Sequence, residues 1–262
     1  MKYADALPTF NEANLFKAQN ITFDAWDEFD RQKRIALAKK ALSVSPYCTE
    51  AYNILAELDE NFLERKNLYS KGVEVGKKAL GKNFFIESEG CFWGIIETRP
   101  YMRAMEGLAD CFWELNERQK AIEICQEMLR LNPNDNQGVR YILINWLIAE
   151  DEFEAAEQLL SDYVEISAFM LYGAVLLYFK QNRKVKAKNA LKKAIEANPH
   201  VHEFLLNPKK KYIPESEIEK RIGGYSPGCA SEADEYRNLA GEIWKETPGA
   251  LDWLQENLFA LK

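Results

Sequence analysis

TRPYMRAMEGLADCFWELNERQKAIEICQEMLRLNPND, residues 98–135, reads as one complete pair of antiparallel helices. Met105, Leu108, Ala109 and Phe112 recur at i, i+3, i+4 and i+7, which places them on one face of a helix. Residues 114–118 are polar and make the turn. Ala121, Cys125 and Met128 carry the apolar face onto a second helix, with small residues where the two backbones approach. Pro133 closes the unit, because it lacks an N–H donor and disfavours helix in the residue before it.

The same pattern recurs on both sides. Downstream, Val139, Ile142, Leu143 and Trp146 are followed by Ala155, Leu159 and Leu160, with a turn at residues 150–152. Leu171, Ala174, Val175 and Tyr178 are then followed by Ala187, Leu191 and Ala194, with Pro199 as the stop. Pro133 and Pro199 are spaced by close to two repeats of about 34 residues, the period of tetratricopeptide repeats. Upstream, residues 49–80 give two helices in a decayed form of the motif, with Gly72 permitting close helix approach and Gly81 suited to a C-terminal cap. Apolar residues from Phe23 to Leu42 suggest a further helix that Pro46 stops.

Three stretches stand outside the repeats. Residues 1–22 mix Pro, Asn and single aromatics and read as a lead-in. Residues 82–97 form an apolar insertion, which packs either across the concave face or at an edge between repeats. After Pro199 the period breaks; a helix over residues 231–244, with Ser231 as its N-cap, and a last helix over residues 249–261 read as a cap. The expected architecture is all-α, a tetratricopeptide-like right-handed helical solenoid forming one domain over residues 1–262. Its parts are a lead-in (1–22), degenerate repeats plus insertion (23–97), three repeats (98–199) and a cap (200–262).

Composition narrows the function classes. A net charge of −7 argues against broad attraction to nucleic acid phosphates, and Lys209, Lys210 and Lys211 form the one basic run worth naming. The five cysteines have no CxxC pairing and suit reduced thiols in a cytoplasm. The most apolar run, residues 141–149, is about half of what a bilayer span needs. His200 and His202 lack enough neighbouring ligands for a metal site. Gly223 and Gly224 lack the context of a phosphate loop. No catalytic residues, metal or cofactor are expected.

Three segments lie outside the generic repeat positions: GCFWGIIETRPYMRA (residues 90–104), LNPNDNQGVRY (131–141) and ANPHVHEFLL (197–206). With them the chain resembles a group of bacterial tetratricopeptide proteins similar to the eukaryotic suppression-of-tumorigenicity family. That resemblance implies a helical scaffold without an established catalytic activity.

In repeats of this kind the first helix of each pair lines a groove. The groove-facing positions are then Asn53, Glu57 and Glu60; Arg103, Glu106, Asp110 and Trp113; Gln137, Arg140 and Ile144; and Phe169, Tyr172, Leu176 and Phe179. The groove runs from acidic to apolar and suits a protein or peptide partner with a basic and an apolar end. The candidate partner-binding residues are Arg99, Arg103, Glu106, Asp110, Arg140 and Tyr172. Three readings compete with this one: an enzyme site near Arg99, Arg103 and Arg140, a homo-oligomer joined around Phe169 and Phe179, and the same arginines paired internally with Glu97, Glu106 or Asp135.

Overall fold

The computed structural model describes residues 7–214 and 224–259; residues 1–6 of the lead-in and Leu261 of the expected last helix lie outside them. All regular structure among the described residues is helical. Two compact units make up the chain, Met1–Val139 and Arg140–Lys262.

The first unit is built from helix pairs: α1 (Glu12–Asp27) with α2 (Arg31–Val44), α3 (Thr49–Leu58) with α4 (Phe62–Leu80), and α6 (Arg99–Glu114) with α7 (Arg118–Leu131). Asn11 starts α1 by accepting the Asn14 N–H at 2.9 Å, so the stretch read as a lead-in is helical from Glu12 onward. The chain breaks at Glu28, and Asp30 caps α2 through the Lys33 N–H at 2.9 Å, which splits the helix expected from Phe23 onward. α1 buries only small residues, Ala18, Thr22 and Ala25, and so lies close against its neighbours. Gly81 ends α4 at φ +81°, in the left-handed region where glycine carries no Cβ penalty. Gly72 lets α4 meet α3 and α6, since a Cβ there would stand 3.3 Å from the Ala104 Cβ.

The insertion folds as α5 (Lys82–Glu87) and two single turns of 3₁₀ helix, Phe92–Gly94 and Ile96–Thr98. Phe92 is fully buried, with ring centroids 5.0 Å from Phe85 and 6.3 Å from Tyr101. Thr98, also buried, donates its hydroxyl to the Ile95 carbonyl at 2.7 Å and to the Phe92 carbonyl. Pro100 then sits in the first turn of α6, where its missing N–H costs nothing. Burial of this stretch is partial, because Ile86 and Ile96 remain exposed.

The second unit holds nearly all of α8 (Val139–Ala149) with α9 (Phe153–Asp162), and α10 (Ala168–Lys180) with α11 (Lys184–Ala197). After the short α12 (Val201–Leu206) come α13 (Ala230–Glu246) and α14 (Ala250–Phe259). The turns inside the pairs place Asn116, Asp151 and Asn182 at φ +60°, +60° and +57°, a conformation that Asn and Asp tolerate better than other side chains. Because α13 begins at Ala230, Ser231 lies inside the helix instead of capping it, and its hydroxyl accepts the Ser226 N–H. The next residue, Glu232, is buried and accepts three hydrogen bonds: from the Ala168 N–H at 2.9 Å, the Asn198 amide at 2.9 Å and the Gly228 N–H at 2.7 Å. One carboxylate thereby ties α13 to the start of α10 and to the end of α11.

Candidate functional site

In the first unit the leading helices α1, α3 and α6 border a cavity of about 590 Å³. Its outer wall is unusual. α1 turns Phe16, Phe23 and Trp26 outward, 64%, 62% and 40% exposed, while its small residues face the core. Ile96 (67% exposed), Arg99, Pro100 and Arg103 form the opposite wall. Glu50, 4% exposed, lies at the base. It accepts the Trp26 indole N–H at 2.7 Å, the Asn53 amide at 3.1 Å and the Arg103 guanidinium at 2.8 Å. Asn53 is itself buried and also donates to the Pro100 carbonyl at 2.9 Å, which fixes the start of α6 against α3.

Farther along α6 the surface is acidic. Glu106 accepts a hydrogen bond from Gln137 at 2.6 Å, and burial, with the Asp110 and Asp135 charges adding to it, pushes its carboxyl up to about 7. Asp110, one turn on, is open to solvent but hemmed in by protein; that enclosure, with the Glu114 charge, pushes it up to about 6. Across on α3, Glu57 is raised by burial and by the Glu50 charge, with Arg34 and Arg103 opposing. Arg34, Arg65 and Arg103 oppose these upward shifts without reversing them.

The candidate residues fare differently. Arg99 donates from Nε to the Trp93 carbonyl at 3.0 Å and lies 5.4 Å from that ring's centroid, so it holds the insertion while also lining the cavity. Arg103 lines the same cavity but is committed to Glu50. Glu106 and Asp110 share the acidic stripe of α6. Arg140 belongs to the second unit, where it binds Glu165 at 2.8 and 3.2 Å and the Tyr141 hydroxyl at 2.7 Å, with its guanidinium 4.2 Å from the Tyr141 ring centroid. Burial works against the Glu165 charge, but hydrogen bonds from Arg140, Ser167 and Tyr141 hold its carboxyl below the usual range. Each arginine thus has an internal partner: Trp93 for Arg99, Glu50 for Arg103, and Glu165 among those of Arg140.

Tyr172 is a correction. It is 0% exposed, donates its hydroxyl to the Asn198 carbonyl at 3.0 Å and packs 5.7 Å from Tyr236 of α13, so it is a core residue with no surface to offer a partner. Phe169, Leu176 and Ile144 are buried too. Phe169 stacks on Tyr141 at 4.7 Å and meets Tyr236 at 5.9 Å, while Ile144 faces Gly173. Within this unit α13 covers Phe169 and Tyr172 through Tyr236, and with them the expected self-contact at Phe169, while the half-buried Phe179 packs on Trp253 of α14.

Sequence reasoning missed α1 and the Glu50 centre. The signal was present in Phe16, Phe23 and Trp26, spaced near two turns and one turn apart on a helix. Among the described residues no group of three or more His, Cys, Asp or Glu could hold a metal ion, and no helix is long and apolar enough to cross a membrane.

Known proteins agree with this architecture. In fold, the chain is similar to the crystal structure of YrrB, described as a TPR protein with an unusual peptide-binding site. The TM-score is 0.51 at 18% identity, over 71% of this chain and 84% of that one, a likeness of fold alone. In sequence, it is 24% identical over 256 residues to a Drosophila melanogaster protein, "Protein ST7 homolog", covering 88% of this chain and 46% of that protein. It is also 24% identical over 261 residues to the human "Suppressor of tumorigenicity 7 protein-like", covering 88% of this chain and 43% of that protein. The chain therefore spans less than half the length of these relatives. Both are animal proteins, which supports the resemblance to the eukaryotic family and does not support the bacterial grouping. The profile of the family described as ST7 protein matches residues 4–258, nearly the whole helical array from α1 to α14, and the chain belongs to that family.

Proposed function

We propose that this protein is an interaction scaffold and that the inner face of its first unit takes an extended segment of a partner protein carrying Lys or Arg. The observation that carries the reading is the acidic face of Glu57, Glu106 and Asp110. Their carboxyls are all raised, and Glu106 has a neutral amide, Gln137, as its hydrogen-bond donor. A cation on a ligand would offset the burial, and the lesser repulsion, that raise these carboxyls, and would ionise Glu106, whose value near 7 leaves it about half ionised at neutral pH. The peptide-binding site named for YrrB, a protein similar in fold, points the same way. The described cysteines are all free, which suits a reducing compartment such as the cytoplasm.

The test is selection of a random dodecapeptide display library on the full chain, repeated with Glu106→Gln plus Asp110→Asn. Selected peptides are expected to be rich in Lys and Arg and to bind the double variant at least 10-fold more weakly. Peptides without basic residues, or equal binding to a folded double variant, would refute the reading. Charge reversal at Arg103 or Arg140 is a poor test, since either change breaks an internal ion pair.

A further inference from the structure

We infer that the cavity bordered by α1, α3 and the start of α6 is the apolar anchor subsite of the same groove, and that the partner segment carries a large apolar side chain two to four residues from a Lys or Arg. This rests on the acidic-groove reading and adds the second half of the recognition code. The first argument is the orientation of α1. A helix that packs through Ala18, Thr22 and Ala25 leaves Phe16 and Phe23 largely uncovered by its own fold, with Trp26, its indole N–H held by Glu50, partly exposed beside them. Ile96 presents a further exposed apolar side chain from the facing wall.

The second argument is the charge of the cavity floor. Glu50 takes one terminal nitrogen of Arg103 and the Trp26 indole N–H, and Arg99 gives its Nε to the Trp93 carbonyl, so both cations of the cavity are already engaged in part by the protein itself. A cavity of about 590 Å³ with this lining takes one or two large apolar side chains. The rim also selects against a second copy of the same face. α1 carries Glu12, Asp24 and Asp27 against Lys17, so two such faces brought together would set like charges against each other, whereas a basic segment complements them.

Spacing follows from helix geometry. From Arg103 at the cavity wall, Glu106 and Asp110 lie about 4.5 and about 10.5 Å farther along α6 at 1.5 Å per residue. An extended chain covers those distances in roughly two to four residues at about 3.3 Å each. The occupant is thus an extended partner segment with its Trp, Phe, Leu or Met under α1 and its cation on Glu106 and Asp110.

The probe is again the dodecapeptide library selected on the full chain, with selected peptides titrated by fluorescence anisotropy against Phe23→Ser, Ile96→Ser and Glu106→Gln plus Asp110→Asn. Phe23 and Ile96 are exposed, so circular dichroism and Tm should match the parent chain. The expected result is enrichment of an apolar residue two to four positions from Lys or Arg, with each serine variant weakening binding at least 10-fold. Basic peptides that lack a fixed apolar residue and ignore both serine variants would overturn the anchor subsite and leave the acidic groove standing. Apolar peptides that respond to the serine variants but ignore the double carboxamide variant would overturn the acidic groove and the spacing rule together, leaving an apolar pocket alone. Peptides indifferent to every variant, or no enrichment, would overturn both.

Discussion

Gly107 is where helix propensity and packing predict opposite signs. It lies within α6, and replacing a helix-interior glycine by alanine ordinarily stabilises by about 1 kcal/mol. At this position a Cβ would fall 2.4, 2.5 and 2.7 Å from three ring carbons of Tyr69, distances that real contacts do not reach. The ring is buried between α4 and α6, so relief requires α6 to move off α4 or the ring to leave. Overpacking of this kind costs roughly 1–3 kcal/mol, and expelling the ring forfeits aromatic burial of about 2 kcal/mol or more. Set against the propensity gain, Gly107→Ala should destabilise the first unit by up to about 2 kcal/mol. Urea unfolding followed by circular dichroism measures this directly, and a Tyr69→Ala background isolates the cause. Without the ring, Gly107→Ala should become neutral or stabilising by up to about 1 kcal/mol. If Gly107→Ala stabilises the chain with Tyr69 present, the packing of α4 on α6 described above is wrong.

Glu232→Ala should cost about 3–5 kcal/mol in the second unit, because two buried donors and one part-buried donor lose a charged acceptor; Glu232→Gln should cost less, and thermal unfolding reads both. Glu106 gives a pH signature. Its folded value, about 7, lies above the ordinary carboxylate value, so between about pH 4.5 and 7 the folded state holds more protons and stability falls as pH rises. Glu106→Gln should therefore flatten that limb and stabilise the protein by about 1–3 kcal/mol at pH 8 with little gain at pH 4.5, as urea midpoints at the two pH values will show. For a basic peptide the sign reverses, since binding requires the ionised form, and affinity should rise from pH 5.5 to pH 8. Asn116→Gly and Asn182→Gly should each be neutral or stabilising by up to about 1 kcal/mol, because each residue has a positive φ at the end of a helix; a loss measured by Tm would argue for a side-chain role at that turn.

The repeats were legible where packing is local. Met105, Leu108 and Ala109 mark the buried face of α6, Pro133 and Pro199 stand just past the ends of α7 and α11, and Gly72 and Gly81 occupy the close approach and the cap expected of them. α1 was not legible, because apolar periodicity assumes that large residues face inward, whereas here Ala18, Thr22 and Ala25 do so and the aromatics do not. In α8 nearly every residue from Tyr141 to Ala149 is apolar, apart from Asn145, so the pattern could not fix which side faces a neighbour, and Ile144 was assigned to the wrong one. Tyr172 and Phe169 sit at groove positions in the repeat register, but a later helix covers them, a long-range event that repeat spacing does not encode. For the site, the acids of α6 were legible, whereas the direction of the gradient was not. In the first unit the exposed apolar side chains lie on α1, before the acids in the chain, and Glu50 is recognised as a centre only once Trp26 and Arg103 are seen to converge on it.

The central claim is that the inner face of the first unit holds a partner segment, apolar end under α1 and cation on α6. Photo-crosslinking tests it most directly: a selected peptide carries benzoyl-phenylalanine at its apolar position, and the crosslinked residues of the full chain are mapped by mass spectrometry. The account predicts crosslinks to Phe16, Phe23, Trp26 or Ile96, suppressed by excess unlabelled peptide. Competable crosslinks confined to α2, α4 or α7 would place the ligand on the second helices of the pairs and contradict it.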